Sequence, residues 1–310
     1  MHLSIIICTY NRDKIIIDSI TSFYSMRYSE AIEFELIIVD NNSSDNTRSV
    51  VQELSAQHDT LLYVFEPIQG LSQARNRGIQ EAKGNIIVFV DDDVYFSNNW
   101  LTDIIAAFDE PSVECVGGNI IPVFDAGKPE WLENPSLAIF GSTNFGSESR
   151  RLRLPDHPFG GNMAFRRSVF DVIGVFDTAL GRKKDSLLSS EETELFYRIQ
   201  KNNIPVWFTP NATIYHRIPN ERAQKDWIYK RYYWQGISDV ACTQMTSPIN
   251  KLTLLKNTLR NTSSILKLAR GSHLTPRKIY WHYKNLPLEQ GIHLHTMMGN
   301  IRQSLHEIFR

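Results

Sequence analysis

At 310 residues, 42% hydrophobic and 22% charged, the chain has the composition of an ordinary globular protein with enough apolar content for one large core or two modest ones. A formal net charge of -1 argues against a surface built throughout to hold nucleic acid, and no apolar run approaches the length of a membrane span. Cys8, Cys115 and Cys242 are scattered in no metal-ligand spacing and Met1-His2-Leu3-Ser4 lacks the cationic region of a cleaved signal, so a reducing, cytoplasmic compartment is expected.

Leu3-Ser4-Ile5-Ile6-Ile7-Cys8 is a β-branched run expected as the first strand, ending at Thr9-Tyr10-Asn11, where Asn11 is placed to cap a helix. Glu35 to Val39 follows as a strand, stopped by Asp40-Asn41-Asn42-Ser43-Ser44, whose turn formers lead into a helix from about Asp45 to His58. Leu61 to Phe65 reads as a third strand, Leu71 to Ala82 as a third helix with Gly84 as its stop, and Ile86 to Val90 as a fourth strand. Strands that are apolar throughout, joined by helices, indicate a parallel sheet covered on both faces.

In such open sheets ligands bind beyond the carboxyl ends of the strands, which places Thr9, Asp40 and Asp91 to Asp93 on one rim. Asp40 alone would also suit a solvated turn. Three adjacent carboxylates are harder to explain that way, because crowded like charges raise one another's pKa and a divalent cation relieves them. Carboxylates that leave further positions to water and phosphate oxygens suit Mg²⁺ or Mn²⁺ at a nucleotide diphosphate.

Beyond residue 112 the pattern loosens. Glu114 to Val123 reads as a strand, and Phe124 to Pro158 as a long loop rich in Pro and Gly, of the kind that is functional or mobile. Its Trp131, Phe140 and Phe145 suit either stacking on a ring-shaped ligand or pinning the loop to the body. Ser189-Ser190-Glu191-Glu192-Thr193-Glu194 opens a helix from Leu195 to Lys201, with a capping box between Ser189 and Glu192 and a Glu194–Arg198 surface pair as the bland reading. Strands are expected at Val206 to Thr209 and Ala212 to Tyr215, then His216, then a helix whose Trp227, Tyr229, Tyr232, Tyr233 and Trp234 suit packing better than a sugar platform. From Lys251 onward ten Lys and Arg residues outnumber Glu289 and Glu307, a net +8. With Leu254, Leu255 and Leu259, then Tyr280, Trp281 and Tyr283, this tail suits either amphipathic helices on an anionic inner leaflet or a helical subdomain packed on the core.

Four segments in order, "SIIICTYNR", "ELIIVDNNSSDNT", "QGLSQARNRGIQEAKGNIIVFVDDD" and "FGGNMAFRR", resemble family 2 glycosyltransferases over roughly the first 220 residues. The resemblance implies a GT-A fold, a Rossmann-like, mostly parallel sheet flanked by helices, with a C-terminal helical extension. It divides the chain into a catalytic domain over 1–220, comprising a nucleotide-binding half (1–112) and an acceptor half (113–220), and a basic helical region over 221–310. It assigns Thr9, Tyr10, Asn11, Asp40 and Arg75 to the nucleotide; a solvated helix face is the plain alternative for Arg75 and the preferred reading of Arg77. Asp91 falls near the ribose and the metal, Asp93 falls on the metal, and Asp92 stays ambiguous. Gly161 and Asn162 fall beside the donor sugar, where Asn162 either bonds a sugar hydroxyl or merely closes a turn; His216 falls near the metal or diphosphate or is structural at its strand end, with Arg222 and Arg231 as phosphate-holding candidates. Glu192 stands where the family has its general base, usually Asp; the longer side chain leaves Glu191 as a substitute.

The same resemblance implies an inverting, metal-dependent enzyme carrying a sugar from a nucleotide-diphosphate donor, UDP above all, to a glycan or lipid-linked acceptor in cell-surface polysaccharide synthesis. It would be cytoplasmic or peripheral on the membrane's cytoplasmic face, with Mn or Mg as cofactor and no nucleic-acid partner. A nucleotidyltransferase is the first alternative, although "CTYNRDK" is not the basic glycine-rich loop it would need. A catalytically silent sugar- or nucleotide-binding scaffold is the second. A dinucleotide dehydrogenase lacks its Gly-x-Gly-x-x-Gly.

Overall fold

The computed structural model describes residues 1–132, 134–184, 186–269 and 288–309. Its first strand, β1 (His2–Thr9), shows why the sheet is covered on both sides. Leu3, Ile5 and Ile7 join one core with Phe23 and Trp100, while Ile6 joins the opposite core with Phe89 and Phe165. Because successive strand residues alternate faces, only a strand buried twice over can be apolar at every position. Each fully buried Ile contributes roughly 1.5–3 kcal/mol.

The chain continues through α1 (Ile15–Tyr24), β2 (Glu33–Asp40), α2 (Thr47–Ser55), β3 (Leu61–Phe65), α3 (Leu71–Glu81) and β4 (Ile86–Val90). β2, β1 and β4 run parallel, with Thr9 opposite Asp40 and Ile7 opposite Val90, so the chain leaves β4 alongside the end of β1, where Asp92 meets Thr9. The remaining strands are β5 (Val94–Phe96), β6 (Cys115–Phe124), β7 (Arg150–Leu152), β8 (Asn162–Arg166) and β9 (Val206–Ile218). They complete a mixed sheet ordered β3-β2-β1-β4-β8-β6-β9-β5, with β7 on β9. β8 is antiparallel to both neighbours and β6 pairs β9 in parallel. Helix α4 (Trp100–Ala107) packs on the face with α1 and α2; α5 (Ser168–Ile173) and α6 (Glu191–Lys201) pack with α3 on the other.

Two irregularities position the rim. Asp92 and Asp93 sit in a tight turn before β5, held where Ser19 Oγ donates to the Asp92 carbonyl and accepts from the Val94 amide, and where the Arg217 amide donates to the Asp93 carbonyl. The two strands expected around 206–215 are one strand, β9, whose register on β6 jumps so that Gly118 faces Thr209 but Asn119 faces Thr213. The bulge carries His216 opposite Val94 on β5, next to the acidic turn.

Other expectations change too. Asn11 does not cap α1, which starts later with Lys14 at its N-cap; Asn11 takes a positive φ of 52° and accepts from the Ser44 amide, tying the two rim loops together. Ser189 and Glu192 form no capping box, because Ser190 is the N-cap and makes no side-chain cap bond. Short elements such as β5, α4, β7, β8 and α5 were not expected from the sequence.

Past the sheet, α7 (Lys225–Thr246), α8 (Lys251–Ala269) and α9 (Leu288–Phe309) form a helical region. α7 and α9 cross so closely that a Cβ on Gly236 or Gly299 would strike the facing backbone, and Tyr229 stacks on His295 at 4.7 Å. Trp227 stacks on Phe140 at 5.7 Å and Phe145 packs against Phe208, so these aromatics pin the long loop to the body. Through α7 the region therefore packs on the sheet and its loops. Among the described residues no helix is long and apolar enough to cross a membrane. Tyr280, Trp281 and Tyr283, with Arg270, Arg277, Lys278, Lys284 and Arg310, lie outside the described residues.

Candidate active site

Two cavities of about 360 and 380 Å³ open along the carboxyl rim and share Leu71, Asp91, Arg182 and His216. Thr9, Tyr10, Arg12, Asp92, Asp93 and Arg222 line the larger, the rim cavity. Arg75, Gly160, Gly161, Glu191, Glu192 and Arg231 line the smaller, the acidic cavity.

In the rim cavity Asp92 and Asp93 are spoken for. Thr9 Oγ1 donates to Asp92 Oδ2 at 2.7 Å. Burial and the neighbouring Asp93 push Asp92 up to about 6, against the pull of Arg12 and Thr9. Asp93 lies 3.2 Å from His216 Nε2 and 3.0 Å from Arg222 Nη1. Burial alone would raise Asp93, but His216, then Arg222 and Arg12, hold it well below the usual carboxylate range. His216 Nδ1 lies 2.6 Å from the Phe140 carbonyl, so that nitrogen donates and Nε2 faces the acids. Burial would lower His216, and Asp93 and Asp91 override it upward.

One donor atom each from Asp91, Asp93 and His216 lies within 4.8 Å of the others. Two carboxylates and an imidazole anchored through its far nitrogen make a donor set that fits a divalent cation. Gly161 permits this convergence, since a Cβ there would lie 2.7 Å from Asp91 Oδ2.

The acidic cavity is arranged differently. Arg75 is buried and donates through Nη1 to Glu191 Oε1 at 2.8 Å, with Nη2 directed at the Gly160 carbonyl. Burial, and then Glu192, push Glu191 up to about 7 in spite of Arg75. Glu191 Oε2 and Glu192 Oε2 are closed to solvent and have no hydrogen-bond partner. Arg231 donates from Nη2 to Ser189 Oγ at 3.2 Å, while its Nε and Nη1 have no partner. Burial, then Arg182, bring its guanidinium down to about 10, against the attraction of Glu192 and Glu191.

The structure brings together Thr9, Tyr10, Asp91, Asp92, Asp93 and His216 around one cavity, and Arg75, Gly161, Glu191 and Glu192 around the other. Three expected residues lie apart. Asp40 is 1% exposed and gives its oxygens to the Ser43 amide and the Tyr63 hydroxyl, lining neither cavity. Asn11 is exposed on the loop clamp. Asn162 is fully buried: its Oδ1 accepts from Trp100 Nε1, and its Nδ2 donates to the Asn119 and Ala212 carbonyls. It closes the β9 bulge, with its Oδ1 and Nδ2 both engaged inside the core. Arg75, expected at the nucleotide, instead grips Glu191; Arg77 forms a surface pair with Glu81.

Arg182 and Arg12 line the site without having been expected there. Arg12 ends the quoted "TYNR" segment, which was signal enough. Arg182 sits in an irregular stretch with no pattern to mark it.

Comparison with known proteins is consistent with this geometry. Residues 4–174 match the family described as Glycosyl transferase family 2. The glucosyl-dolichyl phosphate glucuronosyltransferase of Haloferax volcanii is 27% identical over 244 residues, 77% of this chain and 76% of that protein. Among solved structures, the mannosyltransferase PcManGT from Pyrobaculum calidifontis, in complex with GDP-Man and Mn²⁺, superimposes with a TM-score of 0.62 at 17% identity, covering 99% of this chain and 86% of that one. S. aureus TarS 1-349 in complex with UDP-GlcNAc gives 0.56 at 18% identity, over 98% and 81%. These structural likenesses show a shared GT-A fold.

Proposed function

The chain belongs to glycosyl transferase family 2, and on that premise we propose that it transfers a sugar from a UDP-linked donor to a hydroxyl of a glycan or lipid-linked acceptor, inverting the anomeric carbon. The observation that carries the reading is the junction of the two cavities at Asp91 and His216. A nucleotide held by Thr9, Tyr10 and Asp92 would direct its diphosphate to that junction and its sugar toward Glu191 and Glu192. The relative that acts on a dolichyl phosphate and the complex with UDP-GlcNAc support the acceptor and donor classes.

Asp91, Asp93 and His216 would hold Mn²⁺ or Mg²⁺, which when bound supplies positive charge against the leaving diphosphate. Arg222 and Arg12 add fixed positive charge on the same wall. Glu192, which borders the cavity and has no cation bonded to it, takes the acceptor's hydroxyl proton, whereas Arg75 binds one oxygen of Glu191 and holds that carboxyl in place. Attack from the side of Glu192 with departure toward the rim cavity is a single displacement, which inverts the stereocentre.

The division of labour we propose gives 1–112 to the nucleotide, 113–220 to the acceptor and 221–310 to support and surface attachment. Exposed Leu252, Leu255 and Leu259 alternate with exposed Lys256 and Arg260 on α8, a face suited to an anionic leaflet and a peripheral, cytoplasmic-side location. Calorimetric titration of UDP with and without Mn²⁺, followed by a stereochemical assay of product, tests the reading. Metal-dependent UDP binding and an inverted product support it; a folded protein that binds no UDP sinks the donor assignment, and one that binds UDP without ever transferring is a scaffold and sinks the whole reading.

A further inference from the structure

Arg231 is an expensive residue to leave as it stands. Its side chain is 8% exposed, it borders the acidic cavity, and Nε and Nη1 are shut away from water without an acceptor. Leaving a buried donor unsatisfied costs about 1–3 kcal/mol, and more for a charged group. The contact it does make, from Nη2 to Ser189 Oγ at 3.2 Å, is to a hydroxyl that Gln235 and Ser238 also engage, at 3.4 and 3.3 Å. Among the described residues, no carboxylate stands at ion-pair distance from Arg231 or from Arg182, the cation beside it on the cavity wall. Glu191 and Glu192 attract Arg231 only across space, and Glu191 is already engaged by Arg75. A second guanidinium next to a poorly partnered one is an arrangement that repels itself until an anion arrives.

Resting on the reading of this cavity as the sugar-transfer site, we propose that Arg231, seconded by Arg182, receives an anionic substituent, a carboxylate or phosphate, carried by one of the sugar substrates. The planar fork of Arg suits a two-oxygen acceptor, and the surrounding Ser189, Gln235 and Tyr232 supply polar groups for the neighbouring hydroxyls. The enzyme would then distinguish an acidic sugar from its neutral counterpart by the state of this one guanidinium. The anion belongs either to the donor sugar, as a uronic carboxylate, or to the acceptor, as a uronate or a sugar phosphate.

The test measures binding to the whole chain with Mn²⁺ present, for wild type, Arg231→Met and Arg231→Lys. Titration of UDP, UDP-glucose and UDP-glucuronic acid reads the donor arm. Titration of methyl glucoside, methyl glucuronide and glucose 1-phosphate into the UDP-saturated protein reads the acceptor arm. One arm should show the acidic probe binding roughly tenfold tighter than the neutral one, the worth of a charge-assisted hydrogen bond. Arg231→Met should erase that preference and Arg231→Lys retain part of it, while thermal unfolding of Arg231→Met moves upward because a poorly satisfied buried cation has gone. If UDP binds but neither arm prefers its acidic probe, or the preference survives Arg231→Met, this proposal fails alone. If UDP does not bind, the UDP-donor reading fails and takes the proposal with it.

Discussion

The two cavities that meet at Asp91 differ in how far the fold has already satisfied them. On the rim side, Asp92 has Thr9 and Asp93 has both His216 and Arg222. On the acidic side, Glu191, Glu192 and Arg231 each keep a buried polar atom with no partner. A donor site that must grip a nucleotide in one pose gains from groups fixed in advance, whereas groups that handle a proton or read a substrate are left free to engage it. Lesions on the two sides should consequently separate into binding and turnover.

The sharpest such separation is expected from Glu192→Gln. Removing a general base typically lowers kcat by about 10²–10⁴-fold, and the substitution keeps the shape of the cavity, so UDP affinity measured by calorimetry should stay near wild type. Asp93→Asn attacks the other side. It should lower kcat/KM by about 10²–10³-fold, the scale for losing one charge-stabilising element, and should abolish the Mn²⁺ dependence of UDP binding. Equal damage to nucleotide affinity from both variants would break the comparison, because the cavities would then act as one.

The same contrast governs what the sequence could reveal. β1 to β4 were legible because each is a short apolar run bounded by turn formers, and the Asp91–Asp93 cluster because three charges after Ile86–Val90 have no structural excuse. Those signals are local. Arg75 meets Glu191 across 116 residues and Arg231 meets Ser189 across 42, and neither partnership leaves a trace in spacing. Asn162 was readable as a sugar contact or as the closure of a turn: its polar atoms are claimed by a β9 bulge and by Trp100, features visible only once β6, β8 and β9 are assembled. β5 and β7, three residues each, are too short for periodicity to register.

A stability measurement sharpens the acidic side. Arg75→Met leaves Glu191 buried without its cation, and breaking a buried pair from one side costs about 3–5 kcal/mol. Denaturant melts should show that loss, and the double variant Arg75→Met with Glu191→Gln should recover much of it, since the remaining amide carries no charge. Full recovery of stability without recovery of turnover would show that the pair orients the site as well as supporting the fold. No rescue at all would mean that Arg75 acts through its packing over Phe89 and Phe176, whose rings lie 5.9 and 5.2 Å from its guanidinium carbon.

The gentlest effect is a slope with pH. Glu191 titrates at about 7 in the folded protein because burial and Glu192 disfavour its charge, above the ordinary value of 4.5. In the unfolded chain it ionises first, so between about pH 4.5 and 7 the folded state holds the extra proton. The stability this contributes is fully present below the lower value and is lost as pH rises through the upper one. Free protein should therefore lose stability across that window, and Glu191→Gln should make the loss shallower there, leaving the share that Asp92, raised to about 6, contributes. Turnover should run the opposite way, rising toward pH 7, if the second negative charge helps Glu192 accept the acceptor's proton. A Glu191→Gln variant with an unchanged pH–rate profile would assign Glu191 to architecture alone, leaving Glu192 as the one carboxylate of the pair that the chemistry uses.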